Sequence, residues 1–226
     1  MGKDIDDLLK QAETFVRAHM AGYDPSHDWH HVERVRRLAL KIAQSLDPQP
    51  DLLVVELAAL FHDLDDKYRT STSPTLSDLL SPLLSHPAIS SCQSELILKI
   101  IPSVSYTSEL KSLIEQNDER RNWQRDCKEL HSVQDSDRLD AIGSIGIMRC
   151  AAFSCKVNRK LMEDVETGSG DGDGSGSGSA EGHFEEKLLR IRDRMKTPFG
   201  KEEAEKRHQT MVEFLSSLDR ERDLLI

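Results

Sequence analysis

The chain of 226 residues is long enough to build one sizeable hydrophobic core. Hydrophobic residues make up 37 % of the chain, and the formal net charge is −10. This negative charge repels polyanions and argues against a nucleic-acid polymer as partner. No apolar run approaches the roughly 18 residues of a membrane-spanning helix. The N-terminus shows no leader-like pattern, and the four cysteines form no C-x-x-C pair. We therefore expect a cytoplasmic protein with no membrane partner.

Apolar residues recur at helical spacing through most of the chain. The third predicted helix, 51–65, is apolar nearly all round, so we expect it at the centre of a bundle. The long helix 134–162 is expected to place Ala141, Ile145, Met148 and Ala152 in the core. The spacing predicts helices over 4–20, 26–46, 51–65, 75–85, 91–101, 106–116, 134–162, 183–196 and 200–222.

Residues 167–182 hold seven of the twelve glycines and have little apolar surface to bury. Such a composition is typical of a flexible loop. Because it lies between helical segments, it is interpreted as an insertion within one domain rather than as an engineered linker. The sequence thus predicts an all-α fold, a single helical-bundle domain over residues 1–226 with a flexible Gly/Ser-rich inserted loop.

The segment "SHDWHHVERVRRLAL" contains the first candidate ligand. His31 shares a helical stripe with Val35, Leu38 and Ile42, so it points inward, whereas His30 lies about a third of a turn away. The structural alternative is a hydrogen-bonded core histidine, which is the more common situation for a single His.

In the segment "LAALFHDLDD", an apolar helical run is followed directly by four ionisable residues, His62, Asp63, Asp65 and Asp66. Asp66 returns to the side of the helix that carries His62 and Asp63. Carboxylates at a helix C-terminus oppose the helix dipole, so something positive is expected to hold them. An acidic helix end with a surface histidine is the alternative.

The segment "VQDSDRLDAIGSIGI" places Asp137 on a helical stripe with core positions, where a carboxylate needs a partner. A salt bridge, for example with Arg138, is the alternative. Taken together, two His and two Asp form a mixed nitrogen–oxygen set suited to a divalent metal. Coordination positions left open would let the ion lower the pKa of a bound water and neutralise charge on an electrophile.

These residues resemble the HD-domain metal-dependent phosphohydrolases, whose signature is a His, a His-Asp pair and a distant Asp. The segments "HDWHHVERV", "ALFHDLDD", "VQDSDRLDAIGSIGI", "HFEEKLLRIRDRMKT" and "AEKRHQTMVEFL" are similar to a bacterial and fungal subfamily of nucleotide pyrophosphohydrolases. The resemblance covers about 20–216, without the glycine-rich insert.

The resemblance implies one divalent ion (Mn²⁺, Mg²⁺, Co²⁺, Ni²⁺ or Zn²⁺) held by His31, His62, Asp63 and Asp137. It assigns Asp66 to proton transfer, with Asp65 as the fallback. Several cationic donors should contact the phosphates or leaving group, although an ordinary surface ion pair is the alternative for Lys187 and Arg138. The residues proposed for these contacts are His27, Lys67, Arg138, His183 and Lys187.

The expected reaction is hydrolysis of a nucleoside triphosphate to the monophosphate and pyrophosphate. Alternatives are a nucleotidase or an alarmone hydrolase on the same site, or a non-catalytic nucleotide- or metal-sensing protein. A two-metal enzyme is disfavoured because a second ion normally requires two further histidines between the His-Asp pair and the final Asp. His86 is a candidate for the first, but His131 is too close to Asp137 to serve as the other. The partner is a phosphorylated small molecule, and the amphipathic C-terminal helix would support a homodimer.

Overall fold

The computed structural model describes residues 2–64, 75–114, 118–163 and 178–224. These ranges contain eleven α-helices and two 3-10 helices, Ile101–Ser103 and Leu188–Arg194, and no β-strand. None of these helices is both long and apolar enough to cross a lipid bilayer. The prediction of an all-α fold is confirmed. The α-helices are α1 (Gly2–Met20), α2 (Trp29–Gln44), α3 (Leu52–Phe61), α4 (Leu76–Leu84), α5 (Ser91–Ile100), α6 (Tyr106–Ile114), α7 (Asp118–Asp126), α8 (Lys128–Asp140), α9 (Gly143–Lys156), α10 (Ala180–Glu186) and α11 (Pro198–Asp223).

The helices are grouped in two compact units. The first comprises Met1–Tyr23 and His27–Asp137, and the second comprises Asp24–Ser26 and Arg138–Ile226. The expectation of one domain over residues 1–226 stays a prediction.

Helix α3 forms the centre of the first unit, as its composition predicts. It packs against α1, α2 and α5, and its residues from Leu57 to Phe61 are all buried. Asp51 begins the helix because its side chain accepts hydrogen bonds from the backbone N–H groups of residues 53 and 54. The predicted end at residue 65 is wrong, since the helix ends at Phe61.

The early end of α3 has a local cause in the next residue, His62. A continuing helix would use the Ala59 carbonyl to accept the N–H of Asp63. Instead, Nδ1 of His62 lies 2.8 Å from that carbonyl oxygen. His62 and Asp63 consequently lie in a turn directly after the most buried helix.

Helix α2 begins at Trp29 rather than at residue 26 as predicted. The carboxylate of Asp28 accepts the backbone N–H of His31 at 3.1 Å, which caps the first turn. His31 is buried together with Val32 and the following apolar positions of the stripe. His30 is exposed, so the predicted inward orientation of His31 rather than His30 is confirmed.

The predicted long helix over 134–162 is wrong, because α8 and α9 are separate helices. Gly143 begins α9 with a φ of +74°, a left-handed conformation that side chains disfavour. Gly146 also needs to lack a side chain, since a Cβ there would stand 2.3 Å from the carbonyl oxygen of Ala141. The chain therefore turns a tight corner between the two helices.

This corner changes which side of α9 is buried. Ile145 is 38 % exposed and Met148 is 73 % exposed. The prediction that both are core residues is therefore wrong. Ala141 and Ala152 are only partly buried. The buried positions of α9 are Gly143, Gly146, Cys150 and Ser154.

In the second unit, α11 packs against α9 and against the 3-10 helix Leu188–Arg194. Helix α10 begins earlier than predicted, because the Ser179 hydroxyl accepts the N–H of Gly182 at 2.9 Å. Residues 179–182 thus belong to this helix start and not to the inserted loop. The part of the predicted insert over 167–177 lies outside the described residues.

Candidate metal centre

Two histidines from separate helices meet in the first unit. The Nε2 atoms of His31 and His62 lie 3.1 Å apart, and the two rings meet edge to face. His31 is supplied by the first turn of α2, and His62 by the turn after α3. Both residues are buried, so their facing nitrogens are shielded from bulk water.

The position of the proton on His62 follows from its other ring nitrogen. Nδ1 lies 2.8 Å from the carbonyl oxygen of Ala59. A carbonyl oxygen only accepts, so Nδ1 carries the hydrogen. In the neutral ring the lone pair is then on Nε2, aimed at His31. A backbone carbonyl that fixes the ring in this way is the usual arrangement behind a metal-ligating histidine.

Two carboxylates approach the same pair of nitrogens. Oδ2 of Asp63 lies 3.3 Å from Nε2 of His31, and its Oδ1 lies 3.5 Å from Nε2 of His62. Oδ1 of Asp137, from α8, lies 3.6 Å and 3.8 Å from the same two nitrogens. Three segments far apart in sequence therefore bring two imidazoles and two carboxylates together. We call these four residues the His–Asp cluster.

The cluster fits a divalent cation. Oδ2 of Asp63 is buried, and Nε2 of His31 at 3.3 Å is not in good hydrogen-bond geometry with it, which is unfavourable unless a positive charge compensates. Burial opposes ionisation of Asp63, but His62, His31 and His27 outweigh it and hold its pKa well below its usual range. An ionised carboxylate beside imidazole nitrogens is a donor set that first-row divalent metals accept.

His27 lies beside the cluster, as a substrate contact would require. Its ring centroid is 6.1 Å from that of His31, in an edge-to-face arrangement. Its charge also favours the ionised form of Asp63. The predicted proton-transfer residue Asp66, its fallback Asp65 and the predicted contact Lys67 lie outside the described residues.

Arg138 is not placed as either interpretation expected. It is 1 % exposed, and its Nη1 donates to the carbonyl oxygen of Arg194 at 2.8 Å. It is therefore neither a surface ion-pair residue nor an open cationic contact. Its side chain is buried in the second unit instead.

His183 and Lys187 also belong to the second unit. His183 is in α10 and Lys187 follows the helix directly, and both are partly buried. Their contact with a phosphate stays a prediction.

The histidines considered for a second metal are engaged elsewhere. Nδ1 of His86 accepts the N–H of Ala88, and Nε2 of His131 donates to the carbonyl oxygen of Gln124 at 2.8 Å. Within the described ranges, one group of three ligand-type side chains has its ligand atoms within 4.8 Å of one another. Its members are His31, His62 and Asp63. The number of ions at the site stays a prediction.

Two supporting groups escaped the sequence interpretation. Asp28 caps the helix turn that carries His31, and its position three residues earlier is a recognisable N-cap signal. The carbonyl oxygen of Ala59 orients His62, but a backbone group leaves no signal in a sequence.

Comparisons with known proteins agree with this geometry. A model of the HD domain matches residues 28–142, the range that contains the whole His–Asp cluster. YpgQ of Bacillus subtilis is 34 % identical over 217 residues, which is 94 % of each chain. The crystal structure of YpgQ in complex with ADP has a TM-score of 0.70 at 31 % identity and covers 94 % of this chain and 97 % of that one. An HD-superfamily hydrolase from Bacillus thuringiensis has a TM-score of 0.70 at 29 % identity, covering 97 % and 98 %.

Proposed function

The chain belongs to the HD-domain family, and from that premise we propose that it is a metal-dependent phosphohydrolase that converts a nucleoside triphosphate into the monophosphate and pyrophosphate. The observation that carries the proposal is the convergence of the His–Asp cluster, in which the two Nε2 atoms lie 3.1 Å apart. Two carboxylates approach those same atoms. Two half-buried carboxylates this close to two buried imidazoles are unfavourable unless a positive charge compensates them.

In this proposal, His31, His62, Asp63 and Asp137 hold one divalent ion. The bound ion supplies a water of lowered pKa and neutralises negative charge on the phosphate. The Ala59 carbonyl keeps the Nε2 lone pair of a neutral His62 directed at His31, where it would be available to a bound ion. Asp66, three positions after Asp63, accepts or returns the proton of the attacking water.

The substrate must overcome the charge of the protein itself, which is −10 overall. Cationic donors around the cluster would offset the repulsion of a polyphosphate. His27 is the best supported of them, since its ring contacts that of His31. Lys67, His183 and Lys187 stay proposals from the resemblance alone, and Arg138 is assigned to packing because it is buried.

The nucleotide class rests on the related YpgQ, whose crystal structure contains ADP. The choice of triphosphate and of pyrophosphate as product rests on the subfamily resemblance of the five motif segments. A homodimer stays a prediction.

The experiment is a product-resolved screen of the purified chain with nucleoside mono-, di- and triphosphates. Each reaction contains Mn²⁺, Mg²⁺, Co²⁺, Ni²⁺ or Zn²⁺, and pyrophosphate and phosphate are measured separately. The proposal expects pyrophosphate and monophosphate in equal amounts from at least one triphosphate. Phosphate from monophosphates would instead indicate a nucleotidase, and pyrophosphate from the 3′ position of an alarmone would indicate an alarmone hydrolase.

Neighbouring histidines provide a matched control for this screen. His31→Ala should abolish the activity, because it removes a ligand, whereas His30→Ala should retain it, because His30 is exposed. Equal activity of the two variants, with both folded, would refute the assigned site. Metal binding without turnover of any nucleotide would favour a sensing role.

A further inference from the structure

A cleft in the first unit has the chemistry of a second ligand site. It measures about 500 Å³, within the size range of small-molecule pockets. Among the described residues it is lined by Lys99, Pro102, Ser103, Glu119, Arg120 and Trp123. None of the four residues of the His–Asp cluster is in that lining, so the proposed metal centre does not account for it.

The lining combines two cations and an aromatic ring. Lys99 and Arg120 outnumber the single carboxylate of Glu119, in a protein whose net charge is −10. Cationic side chains in a cleft can form charge-assisted hydrogen bonds with an anion, also where they have a partner within the protein, as Arg120 does. Trp123 adds a flat apolar surface, partly buried against the hydrophobic core, on which a planar ring can stack.

Lys99 and Trp123, which both line the cleft, already contact each other. The Lys99 ammonium lies 4.2 Å from the centroid of the Trp123 ring, a cation–π distance. A phosphate group offers this ammonium a charge-assisted hydrogen bond, which is stronger than its contact with the ring. Binding of a phosphate would therefore draw Lys99 aside and free the indole face for an aromatic ring.

One wall of the cleft is held rigidly. The Ser103 hydroxyl donates to the carbonyl oxygen of Lys99 at 3.1 Å. The Ser103 carbonyl in turn accepts the side-chain N–H of Gln134 at 2.8 Å, and both Ser103 and Gln134 are buried. These hydrogen bonds hold the backbone beside Pro102, and a wall that is already held lowers the ordering cost of binding.

We propose that this cleft binds an aromatic phosphate of the nucleotide class, with Lys99 and Arg120 on the phosphate and Trp123 against the base. The site is separate from the metal centre, and the proposal holds whether or not the chain hydrolyses nucleotides.

Tryptophan emission tests the proposal directly, because the chain has only two tryptophans. In a Trp29→Phe background, Trp123 is the single indole reporter. The protein is titrated with AMP in the presence of a chelator, so that the metal centre is not loaded. The proposal expects a saturable change in emission, and ribose 5-phosphate, which lacks the base, should bind more weakly.

Charge reversal provides the decisive comparison. Lys99→Glu with Arg120→Glu should weaken AMP binding about tenfold or more, with the helical circular dichroism retained. Lys10→Glu, an exposed change on α1, is the charge control and should leave the affinity unaltered. If the double reversal unfolds the chain, Lys99→Gln serves the same comparison.

Absence of a saturable change, or an unchanged affinity in the folded charge variants, would overturn the proposal. Equal affinities for AMP and ribose 5-phosphate would also overturn it, since the ring would then play no part.

Discussion

The Nε2 atoms of His31 and His62 face each other at 3.1 Å, while the Nδ1 hydrogen of His62 is committed to the Ala59 carbonyl. The Nε2 lone pair of a neutral His62 is consequently directed into the centre of the cluster. A proton on His31 could occupy that space, but the adjacent carboxylates of Asp63 and Asp137 bring more negative charge than one proton offsets. The proposed divalent cation would compensate these groups together.

The cap of α2 should matter for metal binding as well as for stability. Asp28→Ala removes the acceptor for the His31 N–H and should lower the free energy of unfolding by about 1 kcal/mol. Because His31 lies in the turn that loses its cap, the affinity for Mn²⁺ should fall about tenfold. Ser90→Ala, which removes the cap of α5, is the control and should lower stability without changing the affinity. Equal metal affinity in both variants would contradict a positioning role for Asp28.

The corner between α8 and α9 should not tolerate a side chain at residue 146. A Cβ on Gly146 would meet the carbonyl oxygen of Ala141 at 2.3 Å, and the backbone cannot yield cheaply. Gly146→Ala should therefore reduce the free energy of unfolding by about 2 to 3 kcal/mol. Gly22→Ala, where a Cβ meets nothing within 4 Å, should be neutral or slightly stabilising. Urea denaturation of both variants measures the difference, and similar midpoints would contradict the tight corner.

Acid should weaken the anchor of α10 in the second unit. Burial opposes ionisation of Glu181, but hydrogen bonds from Arg222 and from the N–H of Glu163 hold its pKa below the usual value. The unfolded chain therefore takes up this proton at a higher pH than the folded chain. The stabilisation is fully present above the ordinary pKa of a glutamate and is lost as the pH falls through the lower folded pKa.

The matching measurement compares melting temperatures of wild type and Glu181→Gln between neutral and acidic pH. The variant should melt a few degrees lower at neutral pH, and the difference should shrink as the solution becomes acidic. Glu185→Gln, an exposed change on the same helix, should show no such pattern. A constant difference across the pH range would contradict the role of ionised Glu181.

The sequence was sufficient to predict the all-α class and the inward orientation of His31, because an amphipathic stripe indicates which side of a helix is buried. His30 and His31 are adjacent, yet the apolar positions at Val35 and Ile42 distinguish them. Asp137 could be placed in register by the same reasoning, and it does approach the two histidines.

The sequence was not sufficient for the corner after α8. Two glycines inside an apolar helical pattern each cost only about 1 kcal/mol in a continuous helix, so the pattern of 134–162 does not reveal the break. The tight approach at Gly146 and the left-handed backbone at Gly143 are properties of tertiary packing. The misplacement of Ile145 and Met148 follows from this one error.

Arg138 illustrates a second limit. An arginine beside a metal-ligand aspartate reads as a phosphate contact or a surface ion pair, since arginine is seldom fully buried. Its hydrogen bond to the Arg194 carbonyl joins residues 56 positions apart, and the local sequence around Arg138 does not indicate that partner.

The most direct test of the central claim is the number of Mn²⁺ ions bound by the chelator-treated chain, measured by isothermal titration calorimetry. We predict one ion per chain, with at least tenfold weaker binding in Asp63→Asn and in His62→Ala, and unchanged binding in the exposed control His30→Ala. Full Mn²⁺ affinity in folded Asp63→Asn and His62→Ala variants would contradict a metal centre at the His–Asp cluster.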